Sequence, residues 1–170
     1  SPASPKRRWF LKTALAITAV VGAVGGGVWV SRGFDQGKLT ADGKSVFRAM
    51  ARGVLRDMLP TGPAREATLD RYIVALERLM NTLPKAKRDQ IALLGGALAS
   101  APTRYLAAGR WSSWDDASDD DILAALRRMQ QADNMGQNLV FAATRALTTL
   151  TFFSIPDHWS MTGYPGPMPL

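Results

Sequence analysis

Val46-Phe47-Arg48-Ala49-Met50-Ala51-Arg52-Gly53-Val54-Leu55-Arg56-Asp57-Met58 settles the fold class. Val46, Phe47, Met50, Val54, Leu55 and Met58 recur at steps of three and four, with Lys44, Arg48, Arg52 and Arg56 opposite, which is the pattern of an amphipathic helix. Thr40 stands where a cap belongs and Asp42 falls in the first turn, where a negative charge meets the positive end of the helix dipole. Pro60-Thr61-Gly62-Pro63 stops it.

The same period continues downstream. Pro63 sits just inside a second helix whose apolar residues are Leu69, Tyr72, Ile73, Leu76, Leu79, Met80 and Leu83. Pro84 ends that helix and opens a third, with Ile91, Leu94, Ala97 and Leu98 inward. Gly95-Gly96 weakens its middle by about 1 kcal/mol per glycine relative to alanine, so the third helix either kinks or is closely approached there. Pro102 interrupts the pattern, Thr103 to Ala108 is one further short turn, and Gly109-Arg110-Trp111-Ser112-Ser113-Trp114 is a loop with two tryptophans outside any period. Ser118 followed by Asp119, Asp120 and Asp121 reads as a helix start, with Ile122, Leu123, Leu126 and Met129 as the apolar face. After a break at Asp133-Asn134, Met135, Leu139, Ala142, Ala143, Ala146, Leu147, Leu150 and Phe153 describe the last and most apolar helix. No segment alternates with the two-residue period of a strand, and no Asn-Gly or Asp-Gly marks a hairpin. The expectation is an all-α domain of about five helices over residues 40–153, with a linker at 32–39 before it and an extended tail at 154–170 behind it.

Upstream, Lys6-Arg7-Arg8-Trp9-Phe10-Leu11-Lys12 precedes nineteen residues without a charge, Thr13 to Ser31. Arg7, Arg8, Phe10, Leu11 and Lys12 resemble the motif of a bacterial twin-arginine export signal, with Lys6 in place of the family's Ser or Thr. That resemblance implies export of an already folded chain. A cleavable signal closes on a small-x-small site, whereas this run closes on Gly25-Gly26-Gly27-Val28-Trp29-Val30-Ser31-Arg32, and Ser1-Pro2 is what removal of an initiator Met leaves. As a helix the run covers about 28 Å, near the hydrocarbon thickness of a bilayer, with Trp9 and Trp29 close to its ends. The expectation is therefore a retained single-span anchor at 13–31, with a cleaved peptide or a buried core helix as the alternatives. Lys6, Arg7, Arg8 and Lys12 lie before the span and Arg32 alone closely follows it, so residues 1–12 belong in the cytoplasm and the domain in the periplasm, at the inner membrane. Gly22 and Gly26 share a helical face. They suit either close packing with another membrane helix or the low hydrophobicity of twin-arginine signals.

The net charge of +7 invites a nucleic-acid partner, but five of the 21 Lys and Arg flank the apolar run, leaving 16 against 14 acids. The remainder carries no basic stripe interleaved with aromatics, so nucleic acid is not expected. Zero cysteines exclude disulfides, thiolate-bound clusters and haem attachment through Cys-x-x-Cys-His. The aspartates at 115, 116 and 119–121 lack the glycine and glutamate of a calcium loop. Asp157-His158, with Ser154 and Ser160 nearby, is the only grouping that suggests a small hydrolase, and no nucleophile-elbow motif accompanies it. No dinucleotide fingerprint or phosphate loop is present, so no cofactor is expected on this chain.

Residues 152–167, Phe-Phe-Ser-Ile-Pro-Asp-His-Trp-Ser-Met-Thr-Gly-Tyr-Pro-Gly-Pro, are too apolar to stay solvated. They either fold back or anchor in a partner's groove. Pro156, Asp157, Trp159, Gly163, Tyr164, Pro165, Gly166 and Pro167, with Leu39-Thr40 and Leu59-Pro60, resemble the small subunits of membrane-bound bacterial dehydrogenases, the group related to gluconate 2-dehydrogenase subunit 3. The resemblance implies an accessory subunit without an active site. Its partner would be a flavin-dependent oxidoreductase of the glucose-methanol-choline type, with a cytochrome c subunit or quinone accepting electrons. Trp111, Trp114, Phe153, Trp159, Tyr164, Pro165 and Pro167 are the expected partner-binding residues.

Overall fold

The computed structural model describes residues 33–162, with side chains through Trp159. Arg7, Arg8, Phe10, Leu11, Lys12, Gly22 and Gly26, and the tail residues Tyr164, Pro165 and Pro167, lie outside the described residues. The domain is all-α apart from a two-stranded hairpin, β1 (Phe34–Asp35) and β2 (Lys38–Leu39). The helices are α1 (Ala41–Val54), α2 (Pro63–Thr82), α3 (Lys85–Ala99), α4 (Ala101–Ala108), α5 (Asp119–Gln131) and α6 (Met135–Phe153), with 3-10 turns at Arg56–Met58 and Pro156–Thr162. The described residues thus hold six α-helices where about five were expected. The sixth is α4: Pro102 occupies its first turn, where a missing N–H costs nothing, and so starts a helix at Ala101 that Gly109 ends at φ 69°.

α1 is the central element because two of its faces are apolar. Val46, Ala49 and Met50 join Leu94, Leu98, Trp114, Ile122, Leu126, Met129 and Val140 in one core cluster. Phe47, Ala51 and Leu55 join Leu69, Tyr72, Ile73, Leu76, Met80 and Phe152 in the other. Its third side is basic and ties neighbouring helices electrostatically: Arg48 pairs with Glu66 and Asp70, and Arg52 pairs with Asp119. The caps fall where the sequence places them. Thr40 Oγ1 accepts from Gly43 N at 3.0 Å, Ser118 and Asp121 form a reciprocal capping box, and Asn134 Oδ1 accepts from Gly136 N.

The aspartates at the start of α5 are structural. Asp119 accepts from Arg52 Nε at 2.9 Å and from Arg65 Nη2 at 2.5 Å, joining α1, α2 and α5 through one carboxylate. Partial burial opposes its ionisation, but these hydrogen bonds and the two positive charges outweigh it and hold the carboxyl below its ordinary value. A depressed carboxylate stabilises the fold above its unfolded value and loses that contribution as pH falls through the folded one. Asp119→Ala should therefore cost about 1 kcal/mol at pH 7, and the gap to wild type should close below about pH 3.8 in urea titrations across pH.

Residues 33–39, expected as a tether, are part of the domain. Gln36 and Gly37 take φ of 46° and 82°, the left-handed pair a tight two-residue hairpin requires. The turn pairs Phe34 with Leu39, and both are buried against the second cluster. Glycines fasten the hairpin to the bundle. Gly33 N donates to Ala92 O at 2.9 Å, and a Cβ on Gly33 would lie 2.9 Å from Gly95 Cα. A Cβ on Gly43 would lie 1.9 Å from Gly33 O. Gly95 therefore marks a close approach of Gly33 and of the Phe47 ring to α3.

Candidate docking surface

α6 is packed by the side that its apolar residues do not occupy. Val140, Thr144, Thr148, Thr151 and Phe152 are its buried residues, and the three threonines are fully enclosed. The Tyr72 phenol is also fully buried, which pushes its pKa up, with Thr148 beside it acting in the opposite sense. Of the residues expected to form the inward face, Ala143, Leu147 and Phe153 are partly buried against the cores. The others run outward as a stripe at steps of three and four, Met135, Leu139, Ala142, Ala146 and Leu150, with Met135 77% and Leu150 62% exposed. The face is corrected for a physical reason: Thr and Val have nearly the same shape, so the threonine methyls fill the tight space against α1 and α2, and the longer side chains are left outside.

This stripe ends at the aromatic segment that follows α6. Phe153 is half-buried and its carbonyl accepts from Trp159 Nε1 at 2.7 Å. His158 is buried, stacks on Phe152 with ring centroids 3.9 Å apart, and donates from Nδ1 to Phe152 O at 2.8 Å. Asp157 instead faces Arg71 at 3.3 Å. The described start of the tail is thus a 3-10 turn folded onto its own helix rather than an extended strand. Half-buried Trp159 and Phe153 still present one edge to the surface beside Leu150.

The two loop tryptophans separate completely. Trp114 is 1% exposed, sits in the first core cluster and donates to Leu98 O at 2.7 Å. It is a core residue and offers no surface to a partner, which corrects its expected role. Trp111 is 59% exposed and stacks on Tyr105 at 4.8 Å. Arg104 makes the difference: buried beneath the loop, it donates to Ala99 O, Arg110 O and Trp111 O and so turns Trp114 inward and Trp111 out. Burial and the neighbouring Arg110 lower its pKa, while the Asp42 charge supports it.

Among the described residues no group of three or more His, Cys, Asp or Glu converges as metal ligands would, and no helix is long and apolar enough to cross a membrane. The apolar run Thr13 to Ser31 lies outside those residues. The chain matches no family model, no curated protein and no solved structure with which it was compared.

Proposed function

We propose that this chain is a non-catalytic, membrane-anchored periplasmic subunit of a respiratory dehydrogenase complex, carried to the inner membrane by its twin-arginine segment. Its partner is a flavin-dependent oxidoreductase of the glucose-methanol-choline type, with a cytochrome c subunit further along the electron path, and it holds no cofactor of its own. The outward apolar stripe of α6 supports this reading most directly. A helix that leaves Leu150 and Met135 in water while enclosing three threonines has a face suited to another protein. Phe153 and Trp159 extend that face into the tail, where Tyr164, Pro165 and Pro167 continue it in sequence.

The hydrolase alternative loses its residues to packing, since His158 is turned inward onto Phe152 and Asp157 is paired with Arg71. A transient export escort remains the competing role and is separated by the same experiment. Purified from its native membrane in mild detergent, the full chain should bring a large flavoprotein in fixed ratio. Leu150→Glu should reduce the recovered flavoprotein by at least about tenfold while leaving the thermal midpoint of the chain unchanged. A chain that purifies alone would overturn the proposal, and a mature flavoprotein complex lacking the chain would assign it the escort role.

A further inference from the structure

We infer that the Tyr105–Trp111 stack is a second membrane contact, which lies on the lipid headgroups and sets the domain's orientation on the bilayer. The inference rests on the reading of residues 13–31 as a bilayer span. Gly33 is fixed in the domain by its bond to Ala92 O and by its close contacts with Gly43 and Gly95. Arg32 alone separates it from the end of the apolar run at Ser31. Two residue steps reach at most about 7 Å. A headgroup layer is itself roughly 5–8 Å thick, half the difference between the full bilayer and its hydrocarbon core. The domain therefore has no slack: whatever surrounds Gly33 meets the headgroups.

Trp111 belongs to that end of the bundle. Asp42, beside Gly43, is close enough to act on the Arg104 guanidinium, which holds Trp111 O. Along α3, Leu98, which accepts from Trp114, is three residues past Gly95, about 5 Å. The stack has the chemistry of an interfacial anchor. Its rings are apolar, the Tyr hydroxyl and Trp N–H are polar, and the pair is left 45% and 59% exposed with Leu106 open next to it. Positive charge accompanies it, because Arg127 and Arg128 are exposed and Arg128 donates to Gly109 O at the foot of the loop. Anionic headgroups match that charge.

The chain has no cysteine, so single-site labelling is clean. Ser112→Cys, next to Trp111, and Thr61→Cys, in the turn beyond the far end of α1, would each carry an environment-sensitive fluorophore. The full chain would be reconstituted in phosphatidylcholine vesicles containing about one quarter phosphatidylglycerol and headgroup-depth nitroxide lipid. The S112C label should be quenched at least about threefold more than the T61C label, and Trp111→Glu in the S112C background should remove most of that difference. Equal, weak quenching of both labels with a chain that resists alkaline extraction would overturn this contact and leave the anchor standing. Release of the chain by alkali would overturn the anchor and this inference together. In native membranes, a label shielded from lipid and crosslinked to another polypeptide would give the stack to the partner subunit and equally overturn the membrane contact.

Discussion

Trp114→Ala should lower the stability of the domain by about 3–5 kcal/mol, a third or more of what a domain of this size commands. Three losses add in the same place. The indole is 1% exposed among Met50, Leu98, Ile122 and Leu126, so its removal leaves a cavity that helices tied by ion pairs cannot close. The Leu98 carbonyl loses its Nε1–H donor at 2.7 Å and is left unpaired in an apolar surrounding. The loop that Arg104 holds loses the plug that fixes its inner side. Urea unfolding followed by far-UV circular dichroism should move to a much lower midpoint. Trp111→Ala, three residues away and exposed, should stay within about 0.5 kcal/mol of wild type. Equal effects of the two substitutions would mean the loop is not arranged as described.

Gly43→Ala should detach the hairpin. The new methyl would stand 1.9 Å from the Gly33 carbonyl oxygen, and backbone on both sides leaves no flexible side-chain end to move away. Either α1 shifts, which disturbs both core clusters, or residues 33–39 swing out and give up the Gly33 N to Ala92 O and Leu39 N to Glu77 bonds together with the burial of Phe34 and Leu39. The second route costs less. A loss of about 2–4 kcal/mol is expected, with fast amide exchange at Gly33 and Leu39 and unchanged exchange in α5. In the full chain a freed segment of eight residues would add up to about 28 Å of reach between the apolar run and the bundle.

Much of this fold is written in the sequence, and the parts that are not share a cause. α1, α2, α3 and α5 follow from their period, their prolines and their caps, because each buries a stripe that looks apolar. The hairpin at 34–39 was hidden by shortness. Two residues per strand carry no alternation, and Gln36-Gly37 reaches the left-handed turn without the Asn or Asp that usually announces it. α6 was visible as a helix but turned the wrong way, because its residues are apolar on most sides and only shape decides between Leu150 and Thr148 for the tight interior. Trp111 and Trp114 could not be told apart by type or spacing. Their fates are set by Arg104, a cation whose burial no periodicity predicts. That signal was nonetheless present in part: Arg104 falls one turn after Ser100, inside a stretch of small residues that leaves room for a guanidinium beneath the loop.

Arg104 also settles how Trp111 can work. A guanidinium offers donors in a fixed planar fork, and here they hold carbonyls from the end of α3 and from two consecutive loop residues. The loop therefore needs no ordering when something meets it. Any surface that takes up the Tyr105–Trp111 stack finds it preorganised, and the entropy that a floppy aromatic loop would forfeit on docking has already been spent during folding.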